Sequence, residues 1–260
     1  MSAPTVNKVF FQVHFAVLGK IVLSLPLFGF AFCVIWSLIN NFESSTATHC
    51  RVPNYLPSIS SAIGGYTPQR YVWRICIALH CSPRLLIAIA YYNFHTQVHV
   101  GLKNNRYQSL SALASLLHIL ENLALVGLSF ISSSENHGVH EKLFITFMVC
   151  SLLYMVLSCI LFKWGRTANG VNMSSKERTS LNYKVGLFLF NITSFLVAVY
   201  LFFRHNAYCE PGIYTWFALC EYLTVLSNIA FHSTAIWDFR QLCVYFGSNG
   251  LEIARATKST

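Results

Sequence analysis

Charge is what this sequence has least of. Asp, Glu, Lys and Arg make up 10% of its 260 residues, against about 25% in soluble chains whose surfaces must stay wet. Acidic residues are scarcest, nine against eighteen basic, for a formal net charge of +9. The shortage excludes an ordinary soluble enzyme or binding domain. The 55% hydrophobic content excludes a disordered tail or a small disulfide scaffold, both poor in Leu, Ile, Val and Phe. There is no CxxC or other metal-ligand cysteine spacing, no G-x-S-x-G elbow and no repeat of 20–50 residues. The basic residues form no aromatic-interleaved groove, so nucleic acid is not an expected partner.

What is present is apolar length. A spanning helix needs roughly 20 mostly apolar residues, and six stretches qualify: 21–39, 71–92, 110–131, 143–162, 185–203 and 213–237. The predicted fold is all-α, a polytopic membrane protein of about six transmembrane helices in one domain over residues 1–260. Pro26 is expected to kink the first span, and the preceding Val9–Leu18 stretch to lie in the interface. The first apolar run is longer than a signal peptide's and has no small-x-small site before Asn40, so it reads as a signal-anchor.

Basic residues set the expected orientation. With both termini cytosolic, that side holds Lys8, Lys20, Lys103, Arg106, Lys163, Arg166, Lys176, Arg178, Lys184, Arg240, Arg255 and Lys258. The opposite side holds only Arg51, Arg70, Lys142 and Arg204. The high net charge is therefore a topology signal and a contact with anionic membrane lipid. Six cysteines (Cys33, Cys76, Cys81, Cys150, Cys159, Cys220) fall in spans, and Cys243 is cytosolic. Cys50 and Cys209 face the lumen and are a candidate disulfide pair in an oxidising compartment. The sequons at Asn172 and Asn191 fall in a cytosolic loop and a span, where no glycan is expected.

Ionisable side chains inside the membrane cost at least about 2.5–3.5 kcal/mol, so they pair or line a polar cavity. Helices one, four and five carry none in their interiors; two, three and six carry Arg74, His80, Arg84, His118, Glu121, Glu221 and His232. At about 1.5 Å per residue, His80, Glu121 and Glu221 share a depth of about 15 Å, with Arg84 and His118 about 20 Å deep. His232 comes out about 30 Å deep, near the cytosolic edge. The expectation is a polar pocket between helices two, three and six, open toward the lumen. Two readings stay open: interhelical ion pairs that only hold the bundle, or a lipid headgroup or acyl-transfer site. In the second, a histidine oriented by a carboxylate acts as base and arginines hold phosphate. The depth spread argues against a metal held by His80, His118 and His232. His49 and His205, in the two Pro/Gly-rich luminal loops, are candidates for headgroup contact or simply solvated.

The tracts Thr46–Cys50, Val52–Ser58, Ser60–Gly65, Pro68–Arg74, Glu121–Leu125, Ser132–Glu135, Phe203–Asn206, Tyr208–Glu210, Ala230–His232 and Trp237–Phe239 carry a resemblance. Over roughly residues 20–240 the sequence resembles the FRAG/DRAM/SFK family of multispan proteins. The resemblance implies work on the lipid of glycosylphosphatidylinositol (GPI)-anchored proteins in the Golgi membrane, with the endoplasmic reticulum membrane as a second location. The implied step is reacylation of lyso-GPI at sn-2 with a saturated, stearoyl chain, with acyl-CoA (stearoyl-CoA) as donor and no tightly bound cofactor. The implied partners are lyso-GPI, GPI-anchored proteins and membrane lipids. On that reading His80 or His118 is the base, Glu121 orients it, Arg74 and Arg84 bind phosphate or donor, and Glu221 shares the pocket. Acyl-CoA then approaches past His232 and Asp238. No HxxxxD acyltransferase box is present, since Leu123 and Leu85 stand where the acid would follow His118 and His80. The alternative is a non-catalytic factor that presents lyso-GPI to a separate acyltransferase.

Overall fold

The structure is a computed structural model and describes residues 9–170, 172–248 and 250–255. Lys8 and Lys258 of the charge count lie outside the described residues. Strand β1 (Val9–His14) leads into helix α1 (Phe15–Asn40). Two short helices follow, α2 (Phe42–Thr46) and α3 (Ile59–Gly64), then the long α4 (Gln69–Thr96), α5 (Asn104–Phe130) and α6 (His137–Arg166). The chain closes with α7 (Ser175–Tyr208), α8 (Ile213–Ser233), the single turn α9 (Ala235–Asp238), and strands β2 (Leu242–Gly247) and β3 (Gly250–Arg255). Five helices, α1 and α4 to α7, are long and apolar enough to cross a membrane. With the 21-residue α8 they form the body of a multi-pass membrane protein.

The surface is inverted relative to a soluble protein. Ile75, Leu79, Leu116, Leu123 and Leu196 are each more than half exposed, as a lipid-facing surface requires. Serines, histidines and asparagines fill much of the interior, where they can bond between helices. Helix starts are locally encoded: Ser58 and Asn136 accept from Ser61 N–H and Val139 N–H, and Ser174 forms a capping box with Glu177. Cys209 in the left-handed region ends α7, and Gly212, also at positive φ, starts α8.

The sixth apolar run breaks at Thr234, so α8 and α9 replace one helix over 213–237. Of the N-terminal segment expected to lie in the interface, Val9–His14 forms an edge strand and the rest opens α1. The strand pairs antiparallel with β2, which pairs with β3, giving a three-stranded sheet of order β1-β2-β3. Phe15, Ile87, Tyr91, Phe239, Leu242 and Val244 pack that sheet against α1, α4 and α9. We refer to this as the sheet end.

At the opposite end, residues 41–68 fold inward. Asn54, Ser58, Ala62 and Ile63 are buried, and Tyr222 Oη donates to Pro57 C=O. Cys50 and Cys209 form a disulfide, 5.2 Å apart at Cα, that ties this segment to the α7–α8 turn. Helix α7, at 34 residues, is about 51 Å long, well beyond a hydrocarbon core of about 30 Å. The α7–α8 hairpin is embraced by this segment, with Gly212 N–H on Pro53 C=O and Tyr55 N–H on Thr215 Oγ1. The first turns of α8 therefore stand beyond the end of α5.

Candidate functional site

That offset corrects the depth of His232. Placed by counting from Gly212 at a common membrane plane, it falls near the far edge; in the structure its Nε2 lies 3.1 Å from Glu121 Oε1. Glu121 is nine residues before the end of α5 and His232 nineteen after the start of α8. A shared plane for those two ends was the error.

The centre of the bundle is built on Arg84, only 3% exposed. Its Nη2 donates to Glu121 Oε1 at 2.7 Å, the same nitrogen abuts His232 Nε2, and its Nε donates to His118 Nε2 at 3.3 Å. Asn228 Nδ2 donates both to Glu121 Oε1 (3.1 Å) and to Ser151 Oγ (2.7 Å). Tyr154 stacks on His118 with ring centroids 4.4 Å apart, and His118 on His232 at 4.9 Å. Thus α4, α5, α6 and α8 each contribute. The α6 share, Ser151 and Tyr154, is not in the sequence-based set, although Ser151, Tyr154 and Ser158 make a polar stripe at helical spacing.

The protonation pattern is constrained. Because Arg84 donates to His118 Nε2, the neutral imidazole carries its proton on Nδ1. Among the described residues that Nδ1 has no hydrogen-bond partner, and neither does Glu121 Oε2. His232 Nε2 faces both a donor and an acceptor and can serve only one at a time. His118, Glu121 and His232 offer ligand atoms within 4.8 Å of one another, a set able to hold a divalent cation. Here the Arg84 guanidinium stands among them as the positive charge.

His80 is one helical turn from Arg84 but reaches α1. Its Nδ1–H donates to Val22 C=O at 2.9 Å. That carbonyl would ordinarily accept from the residue four positions on, which is Pro26 and has no N–H. The proline thus frees a carbonyl that fixes the His80 tautomer and leaves the lone pair on Nε2.

The other sequence-predicted residues lie elsewhere. Arg74 caps α5, donating to Ser129 C=O and Phe130 C=O, and pairs with Glu135 at 3.0 Å. Glu221 accepts from Ile59 N–H at 3.2 Å and so holds the start of α3. His205 is fully buried beside the disulfide, bonded to Thr48 Oγ1, with the exposed His49 ring 5.7 Å away. Lys184, counted above as a cytosolic basic residue, is buried and pairs with Asp238 at 2.6 Å.

A small cavity touches the cluster from the side of the sheet end. His118 is at its inner limit, and Ser111, Ser115, Ser158 and His95 are among its lining residues.

Comparison with known proteins gives the family. Residues 14–242 match the model described as the Frag1/DRAM/Sfk1/Cwh43P N-terminal domain. A Xenopus tropicalis protein named "Acyltransferase PGAP2" is 48% identical over 229 residues, 88% of this chain and 89% of its own. A Drosophila melanogaster protein named "Post-GPI attachment to proteins factor 2" is 47% identical over 238 residues, 92% of this chain and 91% of its own. "Protein cwh43" of Schizosaccharomyces pombe is 26% identical over 72% of this chain but only 17% of its own length. No solved structure matches. With a family model covering nearly all of the helical body, and relatives nearly half identical along most of their length, the chain belongs to the Frag1/DRAM/Sfk1/Cwh43P family.

Proposed function

We propose that this protein matures the lipid of GPI anchors in the Golgi membrane by transferring a saturated, stearoyl chain from acyl-CoA to the sn-2 hydroxyl of lyso-GPI. The observation that carries this reading is the buried Arg84–His118–Glu121–His232 cluster, which keeps a donor and an acceptor unpaired. A cluster that served packing alone gains nothing from leaving buried polar atoms unmet. The relatives' names supply the chemistry: one is an acyltransferase, others act after GPI attachment.

In the proposed step the sn-2 oxygen attacks the thioester carbonyl carbon. A C–O bond forms, the C–S bond breaks, and the hydroxyl proton ends on the departing thiolate. His80, with Nδ1–H held by Val22 C=O, has Nε2 available to take the proton. Glu121 anchors Arg84, which in turn fixes the tautomer of His118. The disulfide favours placing the residue 41–68 end in the oxidising lumen, where a GPI glycerol lies. The sheet end then faces the cytosol and acyl-CoA.

The close packing of the cluster favours a second reading, a factor that holds lyso-GPI for a separate transferase. One assay separates the two. Purified protein is given lyso-GPI and labelled stearoyl-CoA. Transfer by wild type, lost in a folded Glu121→Gln variant, is the expected result; a folded, lipid-binding wild type that transfers nothing overturns the enzyme.

A further inference from the structure

Several serines inside these helices turn back on their own backbone: Ser24, Ser109 and Ser227 each donate to a carbonyl three or four residues earlier. Ser111 does not. It is 1% exposed and its Oγ has no partner among the described residues. Two turns along the same helix, His118 Nδ1 is equally buried and equally unmet. Two orphaned buried donors would each cost about 1–3 kcal/mol if nothing met them.

They share one cavity. It measures about 10 Å³ and is lined by both residues, with Ser115, Ser158 and Tyr154 completing its polar wall. A space of that size holds one water-sized oxygen and no more. Ser111 and His118 stand seven residues, two helical turns, apart on one face of α5, and the cavity that both line joins them.

Building on the acyl-transfer reading, we propose that this cavity receives the carbonyl oxygen of the acyl thioester, with His118 Nδ1–H and Ser111 Oγ–H as its two donors and a water molecule in it at rest. The cluster explains why His118 is the donor. Arg84 holds its Nε2, so the ring presents N–H and not a lone pair to the cavity. When the sn-2 oxygen adds to the carbonyl carbon, the negative charge that develops on the carbonyl oxygen falls between two fixed, water-excluded donors. It returns to the carbonyl as the C–S bond breaks. His118 thus stabilises charge while His80 moves the proton.

Two measurements on the full chain in lipid nanodiscs test this. A high-resolution map should show one oxygen within hydrogen-bond distance of both His118 Nδ1 and Ser111 Oγ; an empty cavity overturns the proposal. In the transfer assay, Ser111→Ala should lower kcat about 10²-fold with KM within about threefold, as removal of one such donor does. Ser111→Thr, which keeps the hydroxyl, should restore most of it, and both variants should elute and melt as wild type. A Ser111→Ala enzyme with unchanged kcat, or changed only in KM, overturns this assignment and leaves the acyl-transfer reading standing. A wild type that transfers nothing overturns both.

Discussion

Two buried ion-pair clusters sit in this bundle, and they differ in completeness. Near the sheet end, Lys184 Nζ uses its three donors on Ser180 Oγ, Thr234 Oγ1 and Asp238 Oδ2. Asp238 in turn accepts from Tyr91 Oη at 2.6 Å and Ser180 Oγ at 2.7 Å. No atom of that cluster is left over among the buried unpaired atoms. At the centre, Glu121 Oε1 takes Arg84 and Asn228 while Oε2 takes nothing, and His118 Nδ1 is bare. The first is a closed lock between α4, α7 and α9. The second is held in shape by Arg84 yet stops short of saturation, as a site that must bind something does. Burial and charge are alike in both; only the accounting of lone pairs and protons tells them apart.

The strongest way to break this comparison is to remove the charges one at a time and then in pairs. Glu121→Ala strands the Arg84 guanidinium and Asp238→Ala strands the Lys184 ammonium, so each should cost about 3–5 kcal/mol in denaturant unfolding. Replacing the whole pair by apolar side chains should recover most of that stability in both clusters. Activity should then divide them. Asp238→Ala with Lys184→Met should transfer acyl chains in proportion to its folded amount, whereas Arg84→Met with Glu121→Leu should stay at background. A normally active central double variant would make both clusters packing devices.

The sequence made much of the central site legible, because charge inside a membrane is rare enough to be conspicuous. Arg84, His118 and Glu121 stand out for that reason alone. What it could not give was relative helix height. Depth counts assume that every helix begins at the same plane, and α8 begins well beyond the end of α5 because residues 41–68 and the α7–α8 turn build a structured cap there. His232 was misplaced by that assumption. The partner of Lys184 was not legible either: near the end of an apolar run, a lysine that snorkels and one that pairs with Asp238 look the same. Pro26 and His80 were both visible, but that one frees a carbonyl for the other is a contact between α1 and α4 that no local pattern encodes. The sheet was hidden because β1 and β2 are more than 200 residues apart in the chain.

The two ends of the molecule can be compared in the same way. Cys50→Ser opens a covalent loop with a sequence separation of 159 residues and should lower stability by about 2–4 kcal/mol, with faster hydrogen exchange confined to residues 41–68 and the α7–α8 turn. At the sheet end, a Cβ on Gly165 would run into Tyr107 Oη, which bonds His95 Nδ1 at 2.6 Å. Gly165→Ala should therefore cost about 1–3 kcal/mol and loosen the α5–α6 contact instead. Melting curves with site-resolved exchange check both, and interchange of the two exchange patterns would contradict this division of the fold.

The smallest effect expected is at Glu135, which lies outside both clusters, in the turn between α5 and α6. Its carboxylate accepts from Ser132 N–H and Ser132 Oγ–H, both at 2.9 Å, and from Arg74. These bonds, the Ser132 ones first, hold its pKa down from 4.5 to about 2. The folded value lies below the unfolded one, so the stabilisation is complete above about pH 4.5 and is lost as pH falls through about 2. A Glu135→Gln variant should accordingly melt slightly below wild type at neutral pH, and the gap should close between those limits. Because Glu135 is solvent-exposed, the gap should also shrink with salt. A gap of that form ties Arg74 to the cap of α5, where its guanidinium is already bonded to two carbonyls and a carboxylate. If Glu135→Gln left the acid profile unchanged but altered lyso-GPI affinity, Arg74 would have to be counted among the residues that meet the lipid phosphate.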